Sequence, residues 1–276
     1  MINATGNRMM REIQRQSRLS GNLADTQVQI STGKRIQRAS DDPVAAARVD
    51  NIRSRQSDNT TWSRNVSLGT ALVNQADTAF ASVSNLLARA QELTLAASNP
   101  TANASDRATL AIEMTAIADE IDQLAASKSA LGGPLFSAAA PMGMRFDSGT
   151  VFAPVPSRSS AFEVAGTAIS THLRTAGIAI AAGNAPQIAT SLTNVKASID
   201  HVANVHAEIG INGGRLERLR DIQAGANISM SAERSMLEDT DLSSAIAKLN
   251  GQTITLEAAQ AAFARINRRT LIDILG

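Results

Sequence analysis

The C-terminal segment carries the most regular pattern of apolar and polar positions in the chain. From 237 to 275, apolar or neutral side chains return at alternating steps of four and three residues, and no Pro interrupts the series. This spacing predicts a helix with a narrow coiled-coil seam. A single thin seam stabilises a lone helix poorly, so the pattern also predicts a partner helix. The seam consists of Leu242, Ile246, Leu249, Thr253, Leu256, Gln260, Phe263, Asn267, Thr270 and Ile274, with Ile266 beside it.

The N-terminal segment, roughly 3–31, is also predicted to be an incomplete helix. It is polar and basic, and its apolar positions are too few to form a hydrophobic stripe of their own. We expect the two end segments to pair with each other and with neighbouring copies, each burying what the other exposes. The predicted assembly interface on the first segment is Met9, Ile13, Leu23 and Ile30.

A candidate hinge follows the first helix. Gly33 is a plausible residue just beyond a helix C-terminus, while Ser40 or Asp41 can cap a new helix that Pro43 begins. The pair Asp41 and Asp42 could instead be metal ligands or a carboxylate dyad. Capping is favoured, because acids at a helix start meet unpaired N–H groups and the positive end of the dipole.

The middle of the chain predicts long helices around a short irregular insertion. One helix is predicted over 44–97, with apolar positions at steps of four and three from Leu72 to Ala97. A second helix begins near Ser105 and is predicted to pack against it. Residues 132–161 predict an insertion with one small hairpin, whose two strands flank a turn at 147–149.

The second half of the chain predicts further helices. Helical spacing resumes by Val164, breaks near Gly183, and continues in a second long helix with a helically spaced apolar series from Leu192 to Leu219. Three glycines inside this helix indicate either a local break or the close approach of another helix. The last helix is predicted from about Asn227, interrupted by the acidic residues 238–241.

These elements predict an all-α protein: an elongated bundle of long antiparallel helices with coiled-coil terminal helices and one small β-hairpin or irregular insertion. The predicted domains are a terminal coiled-coil layer from 1–40 and 237–276, a rod-like helical domain from 41–131 and 162–236, and the insertion at 132–161. A low aromatic content of 3% suits close-packed helices better than aromatic-rich strands.

Composition and motifs argue against several function classes. A net charge of +1 gives no general attraction to nucleic acid, and the absence of Cys removes thiol chemistry and Cys-based metal sites. No phosphate-binding loop or Gly-x-Ser-x-Gly motif occurs, and the three histidines lack helix-spaced metal ligands. We therefore expect no enzyme, no catalytic or metal residues, no cofactor and no membrane insertion. No signal-peptide core is found near the start. The single Trp62 is expected to be buried between helices.

Several segments together resemble the bacterial flagellin superfamily. They are QISTGKRI at 29–36, ASDDPVAAAR at 39–48, ARAQEL at 88–93, ASDR at 104–107, AEIG at 207–210, RLE at 215–217 and LEDTDL at 237–242. Filament flagellins usually have a small residue and Gly after the paired acids. The Pro-Val-Ala-Ala found here favours the branch that joins the flagellar hook to the filament, and a short filament-forming flagellin remains the alternative.

The resemblance implies a function as a structural subunit. In this family the chain ends form an inner coiled-coil layer and the middle helices a rod outside it. The implied partners are other copies of the chain, the hook-side junction protein, filament flagellin, and a cytoplasmic export chaperone at the C-terminal helix, along Leu256, Phe263, Ile266 and Ile274. The implied location is the extracellular flagellum, reached through the flagellar type III route without a cleaved signal peptide.

Overall fold

A computed structural model of the protein describes residues 2–130 and 132–275, with the side chains of residues 7, 9–130 and 132–265. It confirms the all-α class. The helices are α1 (Ile2–Thr32), α2 (Pro43–Ala97), α3 (Ala104–Ala125), α4 (Arg158–Phe162), α5 (Ile169–Ala182), α6 (Ala185–Glu238) and α7 (Leu242–Leu275). Four short strands complete the described part: β1 (Met144–Arg145), β2 (Val151–Phe152), β3 (Glu163–Val164) and β4 (Thr167–Ala168).

The chain divides into two compact units. The terminal unit comprises Met1–Ser57 and Asn227–Gly276, and the central unit comprises Asp58–Ala226. Helices α2 and α6 contribute residues to both. The terminal unit therefore combines the two ends of the sequence, whereas the central unit is one continuous segment.

The central unit has a continuous helical core. The predicted four-and-three series on α2 is confirmed, since Ala76, Val83 and Ala90 are fully buried. Helix α3 packs along α5, and it also meets α2, as predicted, through an ion pair of 2.6 Å between Arg89 Nε and Glu113 Oε1. The prediction of α2 as partner was thus incomplete, because α5 covers much of the buried face of α3.

The insertion is held on this core by phenylalanines. Phe136 and Phe162 pack edge to face with their ring centroids 4.9 Å apart, and both rings contact Phe80 of α2. The predicted hairpin is confirmed, with β1 and β2 antiparallel. Its turn is closed by Asp147, whose carboxylate accepts hydrogen bonds from the N–H of Gly149 and the hydroxyl of Thr150. Most of the few phenylalanines of the chain therefore lie where the irregular insertion contacts the helices of the central unit.

Three details differ from the prediction. Helical structure does not resume at Val164, because β3 and β4 form a second antiparallel hairpin there; its turn places Ala165 and Gly166 at φ of 52° and 77°. Helix α6 continues through Asn227 and through the interior glycines. Trp62 is only half-buried.

One of those glycines lies at a close helix contact. A Cβ added at Gly213 would lie 3.3 Å from Val73 Cγ1 of α2, whereas one added at Gly210 would meet nothing within 4 Å. Of the two explanations that the sequence left open, a local break or a close approach, the structure supports the close approach at Gly213.

Within the described residues, the longest apolar stretches of the helices all fall short of what a bilayer-spanning helix requires.

Candidate functional site: the paired terminal helices

The two terminal helices lie side by side in the terminal unit. Helix α1 packs against α7, and an antiparallel β-bridge joins Lys34, just after α1, to Asp239, just before α7. Further along the pair, Gln16 Nε2 donates to the carbonyl of Ala259 at 3.5 Å. Since the end of α1 meets the start of α7, the helices run antiparallel. The predicted pairing of the chain ends is confirmed within one chain.

The less exposed positions on both helices repeat at steps of four and three, which defines the packed seam. Two further positions, Gln29 and Thr253, flank it. Half of the seam is polar or small, so it excludes water less completely than an all-leucine seam would. The packed seam consists of Glu12, Gln16, Leu19, Leu23, Thr26 and Ile30 on α1, and of Ala245, Leu249, Gln252, Leu256, Ala259 and Phe263 on α7.

On α7 the packed seam differs in part from the predicted one. Leu249, Leu256 and Phe263 belong to both, but Ala245 lies in the contact while Leu242 and Ile246 remain 49% and 48% exposed. The apolar surface of α7 is therefore wider than one seam, and α1 covers only one side of it. Such a helix is typical of a bundle with more than one neighbour.

The other predicted interface residues divide in the same way. Leu23 and Ile30 are half-buried in the packed seam, whereas Met9 and Ile13 are 45% and 49% exposed. The side chains of Ile266 and Ile274 lie outside the described part of the chain. A single chain thus leaves substantial apolar surface on both terminal helices open to water.

The predicted hinge is a short capped link between α1 and α2. Gly33 has φ of 69°, a left-handed conformation that suits glycine at a helix end. Asp42, immediately before Pro43, is the actual cap of α2, because its Oδ1 accepts from the N–H of Ala45 at 3.0 Å. Asp41, one of two caps considered from sequence, instead closes the loop itself: its Oδ2 accepts from the N–H groups of Gln37 and Arg38 at 3.0 and 2.8 Å.

These hydrogen bonds favour the ionised carboxylates. The N–H of Arg38, followed by that of Gln37, lowers the pKa of Asp41 below its ordinary value. The N–H of Ala45 is the main cause of the lowered pKa of Asp42, with a smaller contribution from the Arg35 guanidinium. At neutral pH both carboxylates are therefore ionised, Asp42 as the cap of α2 and Asp41 as the acceptor that closes the loop.

A second break separates α6 from α7, where the sequence predicted an acidic interruption. Asp241 caps α7, accepting from the N–H of Ser243 at 3.0 Å. Sequence reasoning did not identify Glu238, three residues before Asp241. Its side chain is buried and forms ion pairs with Lys34 and Arg53, which are distant in the sequence, so the local pattern gives no sign of it. Among the described residues, no three His, Asp or Glu side chains come close enough together to hold a metal ion.

Comparisons with known proteins agree with this arrangement. Residues 2–140 match the profile of the bacterial flagellin N-terminal helical region, which is half of the chain. The chain is 25% identical to flagellar hook-associated protein 3 of Escherichia coli strain K12, over 89% of this chain and 90% of that protein. It is 24% identical to the flagellin of Bacillus subtilis strain 168, over 92% and 93% respectively.

The fold also has a solved counterpart. A structure described as a flagellar hook-associated protein from Vibrio parahaemolyticus matches with a TM-score of 0.65 at 16% identity, over 72% of this chain and 99% of that one. At that identity the match concerns the fold, and it supports the helical architecture described above.

Proposed function

Because this chain belongs to the bacterial flagellin family, we propose that it is the subunit that joins hook to filament, and that it assembles through α1 and α7. Membership makes the chain a structural component of the bacterial flagellum, a motility organelle, and not an enzyme. The finer role rests on two supports: the Pro43-Val44 sequence after the paired acids, and the similarity to hook-associated protein 3 along nearly the whole length of both chains.

The observation that carries the assembly proposal is the half-covered pair of terminal helices. Leu242 and Ile246 on α7 and Ile13 on α1 stay about half exposed in one chain. Complete burial of a Leu or Ile is worth roughly 1.5–3 kcal/mol. Neighbouring copies of the chain supply that cover, so the terminal layer, 1–40 and 237–276, becomes fully packed in the polymer. The rod-like domain, 41–131 and 162–236, and the insertion, 132–161, are not part of this layer.

The export chaperone has a defined site in this proposal. It binds the C-terminal helix along Leu256, Phe263, Ile266 and Ile274, and so replaces α1 on Leu256 and Phe263, which pack on α1 in the terminal unit that assembles. Chaperone binding and assembly then exclude each other, which prevents polymerisation before export through the type III channel. Saturating chaperone should block addition of purified subunits to hook ends, and unhindered addition of the chaperone-bound subunit would contradict the shared site.

A deletion strain distinguishes the junction from its alternative. We expect cells lacking the protein to retain hooks and to release filaments into the medium, visible by electron microscopy of the cell surface and of the culture supernatant. Re-expression should restore attached filaments, with the protein confined to a short zone at the hook end by immunogold labelling.

A short filament-forming flagellin is the second candidate, favoured by the similarity to a Bacillus subtilis flagellin over nearly the full length of both chains. Purified subunits that elongate into long filaments on a filament seed, and label along the filament in cells, would establish it and reject the junction role.

A further inference from the structure

Glu238 is the only charged side chain that is buried among those that the structure describes, with 6% of its surface exposed. It is the last residue of α6, and its carboxylate faces basic groups from three parts of the terminal unit. Lys34 Nζ, from the link after α1, lies 3.6 Å from Oε2. Arg234 Nε, on α6 itself, lies 3.7 Å from Oε2. An Arg53 guanidinium nitrogen, from α2, forms an ion pair with Oε1.

The backbone beside Glu238 joins the two helix breaks. The N–H of Arg35 donates to the carbonyl of Glu238 at 2.6 Å, and the N–H of Thr240 donates to the carbonyl of Gly33 at 2.9 Å. The Arg35 guanidinium adds a third link, donating to the carbonyl of Leu237 at 3.0 Å. Residues 33–35 and 237–240 are thus connected by three hydrogen bonds at the point where α1 ends and α7 begins.

A buried carboxylate is costly unless its charge is compensated, so the ion pairs and the bridge depend on each other. If the breaks separated, Lys34 would withdraw and Glu238 would lose part of its compensation. If Glu238 were neutral, the basic groups gathered around it would repel one another. We propose that Glu238 is a latch that holds the two helix breaks together in the single subunit and so fixes the register in which α1 meets α7. This property belongs to the isolated chain and does not depend on which flagellar structure it enters.

Hydrogen exchange on the purified full-length chain tests the latch. The variant is Glu238→Gln, which keeps the side-chain volume and removes the charge. The matched control is Glu233→Gln, on the same helix: Glu233 also bonds α2, through Arg48 Nε at 2.6 Å, but does not contact either break. Mass spectrometry resolves peptides covering 33–42, 239–245 and the central unit, 58–226.

In the wild-type chain we expect both break segments to be protected. In Glu238→Gln both should exchange at least about tenfold faster, together, because breaking a buried pair opens the bridge from both sides. In Glu233→Gln they should stay within about twofold of wild type, as for an exposed ion pair. Any of four results would overturn the latch. The break segments could prove unprotected in the wild-type chain, or Glu233→Gln could have an equal effect. In Glu238→Gln, exchange could fail to accelerate, or could accelerate in one segment alone.

A milder variant covers the case in which Glu238→Gln destabilises the central unit as well. Lys34 is half exposed and lies at the edge of the cluster, so Lys34→Met leaves Glu238 with its two arginines. Exchange in both break segments should then accelerate about threefold, with 58–226 unchanged. Unchanged exchange in either segment would reject the latch.

Discussion

Gly69 on α2 is a position where one added carbon should destabilise the central unit. A Cβ built there would lie 3.0 Å from Cε1 and 3.2 Å from Cζ of Phe146, and 3.3 Å from Cδ1 of Leu216. Both neighbours are fully buried, and the Phe146 ring also packs on Phe152 with centroids 4.5 Å apart. The ring therefore has little room to move away, and Gly69→Ala must push the β1–β2 hairpin off α2 or strain the core.

The magnitude follows from a comparison with Gly210→Ala on α6. Both glycines lie inside a helix, so both substitutions gain about 1 kcal/mol of helix propensity. At Gly210 nothing lies within 4 Å of the new carbon, and this variant should be stabilised by about that amount. At Gly69 overpacking costs about 1–3 kcal/mol, so the net change lies between about zero and 2 kcal/mol of destabilisation. The difference between the variants, about 1–3 kcal/mol, isolates the steric term.

Urea unfolding followed by fluorescence measures this difference directly. The only tryptophan, Trp62, lies in the central unit, and its fluorescence reports on the unfolding of that unit. With an m-value of about 1–3 kcal/mol/M, each kcal/mol moves the midpoint by roughly 0.3–1 M. Phe146→Leu should partly rescue Gly69→Ala, giving a non-additive double-mutant cycle. Equal midpoint shifts for Gly69→Ala and Gly210→Ala, or strict additivity with Phe146→Leu, would refute the close contact.

Two further predictions concern the capping groups. The pKa values of Asp41 and Asp42 are lowered in the folded chain. The stability that these carboxylates give the 33–42 link should therefore be complete above the unfolded pKa of about 4 and be lost as the pH falls through the lower folded values. Hydrogen exchange of the link should show this loss of protection, and in Asp42→Asn the loss with falling pH should be smaller. Asn103 and Asp106 form a reciprocal capping box at the start of α3, so Asn103→Ala should destabilise the central unit by about 0.5–2 kcal/mol in the Trp62 assay, and an unchanged midpoint would contradict the cap.

Regular periodicity made the helical fold predictable from the sequence. The series on α2 and α6 repeat over many turns, and each repeat adds to the same conclusion. The breaks were also predictable, since Gly33 and the acids before Pro43 have strong local preferences. The hairpin β3–β4 was missed because its strands are too short for an alternating pattern, and because Ala165 stands where Asn, Asp or Gly usually begins such a two-residue turn.

Contacts between distant residues could not be predicted in the same way. Large apolar side chains pointed to Leu242 and Ile246 for the seam of α7, but the face that meets α1 uses Ala245, whose small side chain permits close approach. The burial of Glu238 depends on basic residues far away in the sequence, such as Arg53. Which apolar face the chain covers itself, and which it leaves for other copies, is decided by tertiary packing and not by local pattern.

Assembly of Leu242→Asp/Ile246→Asp in a deletion strain tests most directly whether neighbouring copies complete the packing of the terminal helices. Both side chains are about half exposed in the single chain, and full burial of a Leu or Ile is worth roughly 1.5–3 kcal/mol. We expect this variant to be exported, to accumulate unassembled in the medium and to keep a wild-type Trp62 unfolding midpoint, while the volume-conserving Leu242→Met/Ile246→Leu pair still assembles. Normal assembly of the aspartate variant would contradict this packing, as would loss of its central unit.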